Sequence, residues 1–131
     1  KVLEMETYEL MQATFDLSTE DGQMKLFNAR NAASISFKTF QDGQVLEIED
    51  ILQYTEKMDT YGADQEAIVT TLFATDGTSY AGVSETISKA GENLIQYMKQ
   101  FDKKVVHIRV MKQKSGKGNE FLNLQLTKKP E

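Results

Sequence analysis

The chain of 131 residues has no cysteine, no tryptophan, one proline and one histidine. Without cysteine there is no disulfide framework, no thiol nucleophile and no zinc ribbon, and a reducing, intracellular location is consistent with this composition. The single histidine, His107, rules out a multi-histidine metal site. No apolar run approaches the roughly 20 residues that a membrane-spanning helix needs. A length of 131 residues is most simply one domain, and 40% hydrophobic residues indicate that it is globular.

Positive charge is scarce overall but concentrated near the end of the chain. The formal net charge is -5, yet residues 103–129 hold eight lysines or arginines against one acid, Glu120, a local balance of +7. Subtracting +7 from -5 leaves -12 for the remainder. A ligand responds to the local potential more than to the net charge, so the acidic total does not exclude a polyanionic partner.

Turn signals and alternation predict strands in the first two thirds of the chain. Asp42-Gly43 and Asp76-Gly77 are typical of type I′ hairpin turns, in which both central residues have positive φ. The first pair is expected to join a bent strand to a long one, and the second to join a strand to a short return. The expected strands cover 23–40 (bent at 30–33), 44–58, 67–75 and 79–82, with a polar loop over 59–66.

A helix and two more strands are predicted after the second hairpin. Apolar residues then recur with the helical period, with Ser84 as the N-cap and with Glu85 and Lys99 suited to the two ends of the helix dipole. Alternating strands follow over 105–112 and 120–127. This order predicts a mostly β, OB-fold-like five-stranded barrel with one helix between strands three and four. An α+β sheet with one helix on its face would produce nearly the same pattern.

Alternation also predicts which side chains face outward. The rows predicted to face the core contain Met24, Leu26, Val106, Ile108, Val110, Leu122, Leu124 and Leu126, and the outward rows contain Lys25, Phe27, His107, Arg109, Met111, Phe121, Asn123 and Gln125. Two phenylalanines thus lie beside basic and amide side chains. This mixture is typical of single-strand nucleic-acid binding, because unpaired bases stack on rings while cations follow the phosphates. The alternative is that either ring packs under the helix or a loop.

The stretch QKSGKGNEF, which we call the finger (113–121), is cationic and glycine-rich. It does not fit the phosphate-binding loop G-x-x-x-x-G-K-[ST], because Gly118 follows the lysine, the earlier glycine is missing and a strand comes next. From spacing alone it is a solvated hairpin tip. Acidic pairs such as Glu47/Glu49 or Asp59/Asp64 are more often a solubilising face than a metal site. The sequence therefore indicates no enzyme, no metal and no cofactor.

Five ordered stretches carry a family resemblance. They are ATFDLSTEDGQMKLFNA (13–29), SFKTFQDG (36–43), QYTEKMDTYG (53–62), VTTLFATDGTSYAGVSETI (69–87) and KGNEFLNLQL (117–126). Together they resemble the single-stranded DNA-binding proteins of small protein-primed phages of Gram-positive bacteria, and a plasmid or conjugative-element relative would look similar. The resemblance implies an OB-like domain over 13–131 that coats displaced DNA strands during replication or transfer, without strong sequence preference, in the cytoplasm of the bacterial host. Residues 1–12 would form an N-terminal arm or extension, which either docks on a neighbouring protomer along the DNA or is a frayed helix.

The resemblance also implies site residues. Tyrosines contact the bound DNA in that family, and the matching positions here are Tyr54, Tyr61 and Tyr80. With the outward rows added, the residues predicted to stack on bases are Tyr54, Tyr61, Tyr80, Phe27 and Phe121, and those predicted to neutralise phosphates are Lys25, Arg30, Arg109, Lys112, Lys114 and Lys117. The rival hypothesis is an OB-fold module that docks a replication or conjugation protein through acidic residues such as Glu47, Glu49 and Glu56. A nuclease is a weaker rival, because an acid/base set is missing.

Overall fold

The computed structural model describes residues 11–31, 34–60 and 63–129, with the backbone alone at residue 11 and over 57–60 and 63–66. Its elements are β1 (Met11–Ala13), α1 (Glu20–Asn31), β2 (Ile35–Ser36), a 3-10 turn (Phe37–Thr39), β3 (Val45–Thr60), β4 (Ala63–Ala74), β5 (Ser79–Gly82), α2 (Glu85–Gln100), β6 (Val106–Lys114) and β7 (Glu120–Thr127). The predicted mostly β, OB-fold-like class is confirmed, since the strands form one sheet curled into a half-barrel.

The sheet has seven strands rather than the five expected. Its order is β2-β5-β4-β3-β6-β7, with β1 paired to β3 off this path. The β2–β5 pair is parallel and the other pairs are antiparallel. The long β3–β4 ladder shifts register between Ile48 and Asp50, and such a bulge bends and twists a strand. Within the described residues no pairing joins β2 to β7, so these strands are the two ends of the curl.

Each helix covers a different face of the sheet. Below α2 lies the larger core, which includes the predicted inward residues Val106, Ile108 and Val110. Ser84 is the N-cap of α2 as predicted, because its side chain accepts a hydrogen bond from the Ile87 N–H at 3.3 Å. On β7, Leu122 and Leu124 pack against this core, but Leu126 is 40% exposed and departs from the predicted inward row. A smaller core, made of Ala13, Leu26, Leu52, Tyr54 and Val69, lies beneath α1.

The predicted bent strand over 23–40 is wrong. Its first part belongs to α1, where Leu26 is buried and Met24 is 57% exposed, so the predicted inward pair is split. The helix was signalled by Thr19, whose hydroxyl accepts a hydrogen bond from the Gly22 N–H at 3.0 Å, and by the acids at Glu20 and Asp21. A capping residue followed by acidic residues favours the start of a helix. Here this preference outweighs the alternation of residues 24–27, on which the predicted strand depended.

Both Asp-Gly pairs form turns, but neither is type I′. Gly43 and Gly77 have φ of 82° and 91°, while Asp102 is the one described non-glycine residue with positive φ. The Asp76-Gly77 turn joins β4 to β5 as predicted. The Asp42-Gly43 turn closes no hairpin; instead the Asp42 carboxylate accepts a hydrogen bond from the Lys112 N–H at 2.9 Å. It therefore ties the chain before β3 to the end of β6.

Candidate nucleic-acid interface

The finger is the tip of a regular two-stranded hairpin. Strands β6 and β7 are in register from His107↔Thr127 to Lys114↔Glu120. At the tip, Ser115 donates its N–H to the Asn119 carbonyl at 2.8 Å, and Gly118 donates to the Ser115 carbonyl at 2.9 Å. Gly118 has φ of 85°, a conformation that glycine adopts without steric cost. Lys114 and Lys117 are exposed on this tip, so the finger presents its positive charge to solvent.

A groove of about 330 Å³ lies at the base of the finger, and we call it the finger groove. Its lining residues are Lys38, Ser84, Lys112, Glu120, Phe121 and Leu122. Phe121 is one of the lining residues and is half-buried. Lys112 lies 3.9 Å from the exposed Glu120 carboxylate, a pair too exposed to hold the lysine firmly. The groove therefore combines an aromatic surface with two cations.

The N-terminal end of α2 borders the same groove. Ser84, the N-cap of α2, is one of the lining residues. The backbone N–H groups at a helix start carry partial positive charge, which adds to the field of Lys38 and Lys112. The potential in the finger groove therefore favours an anion such as a phosphate.

The predicted cations do not all share one face. Lys112 and Lys114 continue the row of Val106, Ile108 and Val110, but lie beyond the core and are exposed. Arg109 lies on the opposite face of β6, where it is exposed and aligned with Gln125. That face is the predicted outward row, and Arg109 confirms its direction.

On α1, the predicted residues Lys25, Phe27 and Arg30 have different surroundings. The Lys25 ammonium forms an ion pair with Asp50 and lies 5.3 Å and 5.1 Å from the ring centres of Phe15 and Phe73. Phe27 is 64% exposed and Arg30 is exposed in the last turn. Because α1 and α2 cover opposite faces of the sheet, these residues are not gathered into the finger groove. Lys25 has a packing and pairing role in this structure.

Two of the three predicted tyrosines fall within the described residues. Tyr54 is only 4% exposed, and burial is the main reason that its pKa is raised, with the charge of Glu56 adding to the effect. Tyr80 is half-buried, with its ring centre 4.9 Å from that of Phe40. Tyr61 lies outside the described residues. In this conformation Tyr54 offers no free ring face to a base, and the predicted DNA contact at each tyrosine stays a prediction.

Sequence reasoning missed Lys38 at the finger groove. This residue lies inside the region that was assigned to the bent strand, so its alternation gave no reason to single it out. The structure places it in a 3-10 turn capped by Ser36, whose side chain accepts a hydrogen bond from the Lys38 N–H at 3.2 Å. The feature of the sequence that could have indicated Lys38 is its position between Phe37 and Phe40. Both phenylalanines are buried and hold the turn against the core.

The acidic residue Glu47, named for the rival hypothesis, already has partners. Its carboxylate accepts a hydrogen bond from Thr75 Oγ1 at 2.6 Å and lies 3.0 Å from His107 Nε2. These hydrogen bonds, that of Thr75 first, lower the pKa of the Glu47 carboxyl. Within the described residues no group of three or more His, Cys, Asp or Glu is placed to hold a metal ion. A search of the same residues finds no helix that is long and apolar enough to cross a membrane.

A curled β-sheet with a basic finger and an aromatic, cationic groove defines an OB-like protein of the kind that binds single-stranded nucleic acid. Residues 5–127 match the family model described as phage single-stranded DNA-binding protein, and the chain belongs to this family. The predicted family resemblance is thereby confirmed. No solved structure matches the chain significantly.

Individual relatives agree over most of the chain. It is 42% identical over 116 residues to the single-stranded DNA-binding protein of Bacillus phage B103, which covers 88% of this chain and 95% of the relative. It is 40% identical over 123 residues to the protein of the same name from Bacillus phage phi29, covering 94% of this chain and 99% of the relative. The family match begins at residue 5, and the predicted domain boundary at residue 12 falls inside β1. The role of residues 1–12 as an arm stays a prediction.

Proposed function

We propose that this protein binds single-stranded DNA without strong sequence preference. It coats and protects strands displaced during replication or transfer of phage or mobile-element DNA, in the cytoplasm of the bacterial host. The observation that carries the proposal is the finger groove, where Phe121, Lys38 and Lys112 line one open space. The names of its relatives, which are single-stranded DNA-binding proteins of Bacillus phages, support the same function.

The proposed mechanism is stacking combined with phosphate neutralisation. A base stacks on the open part of the Phe121 ring, and Lys38, Lys112, Lys114 and Lys117 neutralise the phosphates on either side. Every base has a π face and every nucleotide a phosphate, so these contacts do not depend on sequence. In duplex DNA the bases are already stacked on one another, and we expect weak binding. No step requires a bond to be made or broken, and we assign the protein no enzymatic activity.

The remaining predicted residues divide by accessibility. Arg109, Phe27, Arg30 and Tyr80 stay proposed DNA contacts outside the finger groove, whereas Lys25 and Tyr54 would have to leave their present partners to reach DNA. Residues 1–12 stay a proposed contact between protomers along the strand. The rival protein-docking function gains no support from the relatives, and Glu47 of its acidic surface is already hydrogen-bonded to Thr75.

The proposal is tested by titrating the full chain with unlabelled oligo-dT while following its intrinsic fluorescence, at low and high salt. The chain has five tyrosines and no tryptophan, so the emission reports tyrosine alone. We expect saturable quenching that weakens as salt rises, because each neutralised phosphate of a single strand contributes a slope of about -0.7 in log K against log salt. A duplex of equal length is the control. An unchanged signal together with no mobility shift on a gel would overturn the proposed function.

A further inference from the structure

Three grooves lie end to end between α2 and the edge strand β7. The finger groove reaches Ser84 on α2 and Leu122 on β7. A second groove, of about 730 Å³, begins at the next residues along both elements and extends to Tyr97 and Leu126. A third, of about 290 Å³, shares Tyr97 and Leu126 with the second. The three grooves thus follow one another along all eight residues of β7, a length of about 27 Å at 3.4 Å per residue, and we call this series the α2–β7 channel.

The far end of this channel repeats the chemistry of the finger groove. Lys103, Lys128 and Lys129 line the third groove together with the half-buried Tyr97, and no acid is among its lining residues. None of these lysines lies within ion-pair distance of a described carboxylate, although the charge of Lys129 is one of the smaller causes that lower the pKa of the Glu47 carboxyl. The Tyr97 ring is held at 5.0 Å from the ring of Phe101. An aromatic ring beside three exposed lysines is again a surface suited to a base and its phosphates.

The middle of the channel is suited to bases. Its wall includes the apolar side chains of Ala90, Leu94 and Leu124, with Lys89 on the helix side. The one acid in this section is Glu85, which precedes Lys89 by four residues on α2, a spacing at which opposite charges partly offset each other. The channel is therefore apolar in the middle and cationic at both ends. This arrangement suits a DNA strand whose bases contact the protein.

We propose that a single DNA strand follows the α2–β7 channel from the finger groove to a second subsite, formed by Tyr97, Lys103, Lys128 and Lys129, that binds one base and its phosphates. This inference rests on the proposed function, because it extends the path of the same ligand. The second groove begins at the residues that follow those of the finger groove on α2 and β7, and the lysines of the channel complement the charge of the phosphates. The other route for a strand leaving the finger is the open face of β6 that carries Arg109.

Two matched double variants distinguish binding at this subsite from general electrostatic attraction between the protein and DNA. Lys103→Ala/Lys128→Ala removes two charges from the third groove. Lys99→Ala/Lys104→Ala removes two exposed charges close in sequence that line none of the three grooves. Binding of oligo-dT of about 4 and about 12 nucleotides, within the range of site sizes for one OB domain, is measured by fluorescence anisotropy against salt.

For the longer oligonucleotide, we expect Lys103→Ala/Lys128→Ala to lower affinity about 10-fold and to reduce the salt slope by about 1.4, since two phosphate contacts are lost. Lys99→Ala/Lys104→Ala should change affinity by less than about 2-fold and leave the slope unchanged, because neither lysine contacts the strand. For the shorter oligonucleotide, bound at the finger groove, both variants should match the parent. Equal weakening by both doubles would overturn the channel, while failure of the parent to bind either oligonucleotide would overturn the proposed function itself.

Crosslinking tests the path directly. Oligo-dT carrying 5-iodouracil at successive positions is irradiated in complex with the full chain, and the attached peptides are identified by mass spectrometry. We expect adducts at Phe121 and, several nucleotides away on the same strand, at Tyr97. Adducts at Phe121 together with Met111, which lines none of the three grooves, and none at Tyr97, would overturn the channel and place the strand on the Arg109 face.

Discussion

At the scale of the residue, Phe121 has the largest expected effect on binding. Phe121 is half-buried and lines the finger groove together with Lys112. Phe121→Ala removes the stacking surface, and we expect a loss of about 1–3 kcal/mol, or roughly 5- to 150-fold in affinity for oligo-dT. The measurement is anisotropy, with thermal unfolding to show that the fold is kept.

Phe27→Ala is the matched comparison for Phe121→Ala. Phe27 is 64% exposed on α1, on the opposite side of the sheet from α2. If the finger groove alone holds the DNA, this variant should bind within about 2-fold of the parent, because the base stacked on Phe121 is kept. Strong weakening by Phe27→Ala, with none from Phe121→Ala, would move the site to the α1 face.

Lys25 is expected to affect stability rather than binding. Its ammonium pairs with Asp50 and lies over two phenylalanine rings, Phe15 and Phe73. Lys25→Met should lower the free energy of unfolding by about 1–3 kcal/mol, because it leaves a partly buried carboxylate without its cation and removes the cation–π contacts. Affinity for oligo-dT should change little.

Chemical unfolding of Lys25→Met and of Lys25→Met/Asp50→Asn measures this effect. The double variant should recover part of the lost stability, since Asp50 no longer carries an unpaired charge. A Lys25→Met protein as stable as the parent but weak in DNA binding would show that Lys25 contacts phosphate.

At the scale of the element, the contact of α2 with the sheet depends on Gly91. A β-carbon there would lie 2.9 Å from Gln53 Nε2 and 3.0 Å from Thr70 Cγ2. The buried Gln53 amide donates to Thr70 Oγ1 at 3.1 Å and to the Ser88 carbonyl, so it cannot move aside freely. Small residues at this point let the helix lie close to β3 and β4.

Gly91→Ala should therefore destabilise the protein even though alanine favours helix. The gain in helix propensity is about 1 kcal/mol, whereas overpacking and the loss of buried hydrogen bonds each cost about 1–3 kcal/mol. We expect a net loss of about 1–3 kcal/mol, measured by guanidinium unfolding. Gly116→Ala is the control, because no atom lies within 4 Å of the added carbon. A Gly91→Ala protein more stable than the parent would contradict this packing.

Strong periodicity made most elements predictable from the sequence. Helix α2 and strands β3 to β7 each carry a clear period, and the structure confirms them. The predicted polar loop over 59–66 is wrong for its described residues, because β3 continues to Thr60 and β4 already begins at Ala63. Helix α1 was not predicted, because Gly22 and Leu26 are its only buried residues and its apolar stripe is weak. The capping pattern at Thr19 was the better signal.

Only the part of the candidate site that lies within one hairpin, β6–β7, was predictable from the sequence. The predicted hairpin put Phe121 and Lys112 on neighbouring strands, as the β6–β7 pairing confirms, whereas alternation put them in opposite rows and did not predict that both would line one groove. Lys38 and Phe121 are more than 80 residues apart in the chain, yet both line the finger groove. Their proximity depends on how the sheet curls, which no local sequence pattern predicts. For the same reason Tyr54 could not be recognised as buried before α1 was known to cover its face.

At the scale of the whole molecule, burial of Tyr54 gives stability a dependence on alkaline pH. Its pKa is raised above the ordinary value of 10.0, mainly by burial. In the unfolded chain the phenol ionises at its ordinary pKa, so the contribution of Tyr54 is complete below pH 10 and is lost as pH rises towards the folded pKa. Stability should fall less steeply in this range for Tyr54→Phe than for the parent, as measured by chemical unfolding at pH values from about 8 to 11. If the curves of unfolding free energy against pH are parallel for the two proteins, the pKa of Tyr54 is the same in the folded and unfolded states.

The half-barrel also has a consequence for solubility. Strand β7 ends the sheet, and an unpaired edge is a template on which another chain's strand can add. Proteins bound side by side along one DNA strand are at high local concentration, and this favours aggregation through unpaired edge strands. Lysines flank this edge at Lys117 on one side and at Lys128 and Lys129 on the other, and like charges repel an approaching edge of the same kind. The positive charge that suits the protein to DNA thus also keeps neighbouring copies from fusing into a shared sheet.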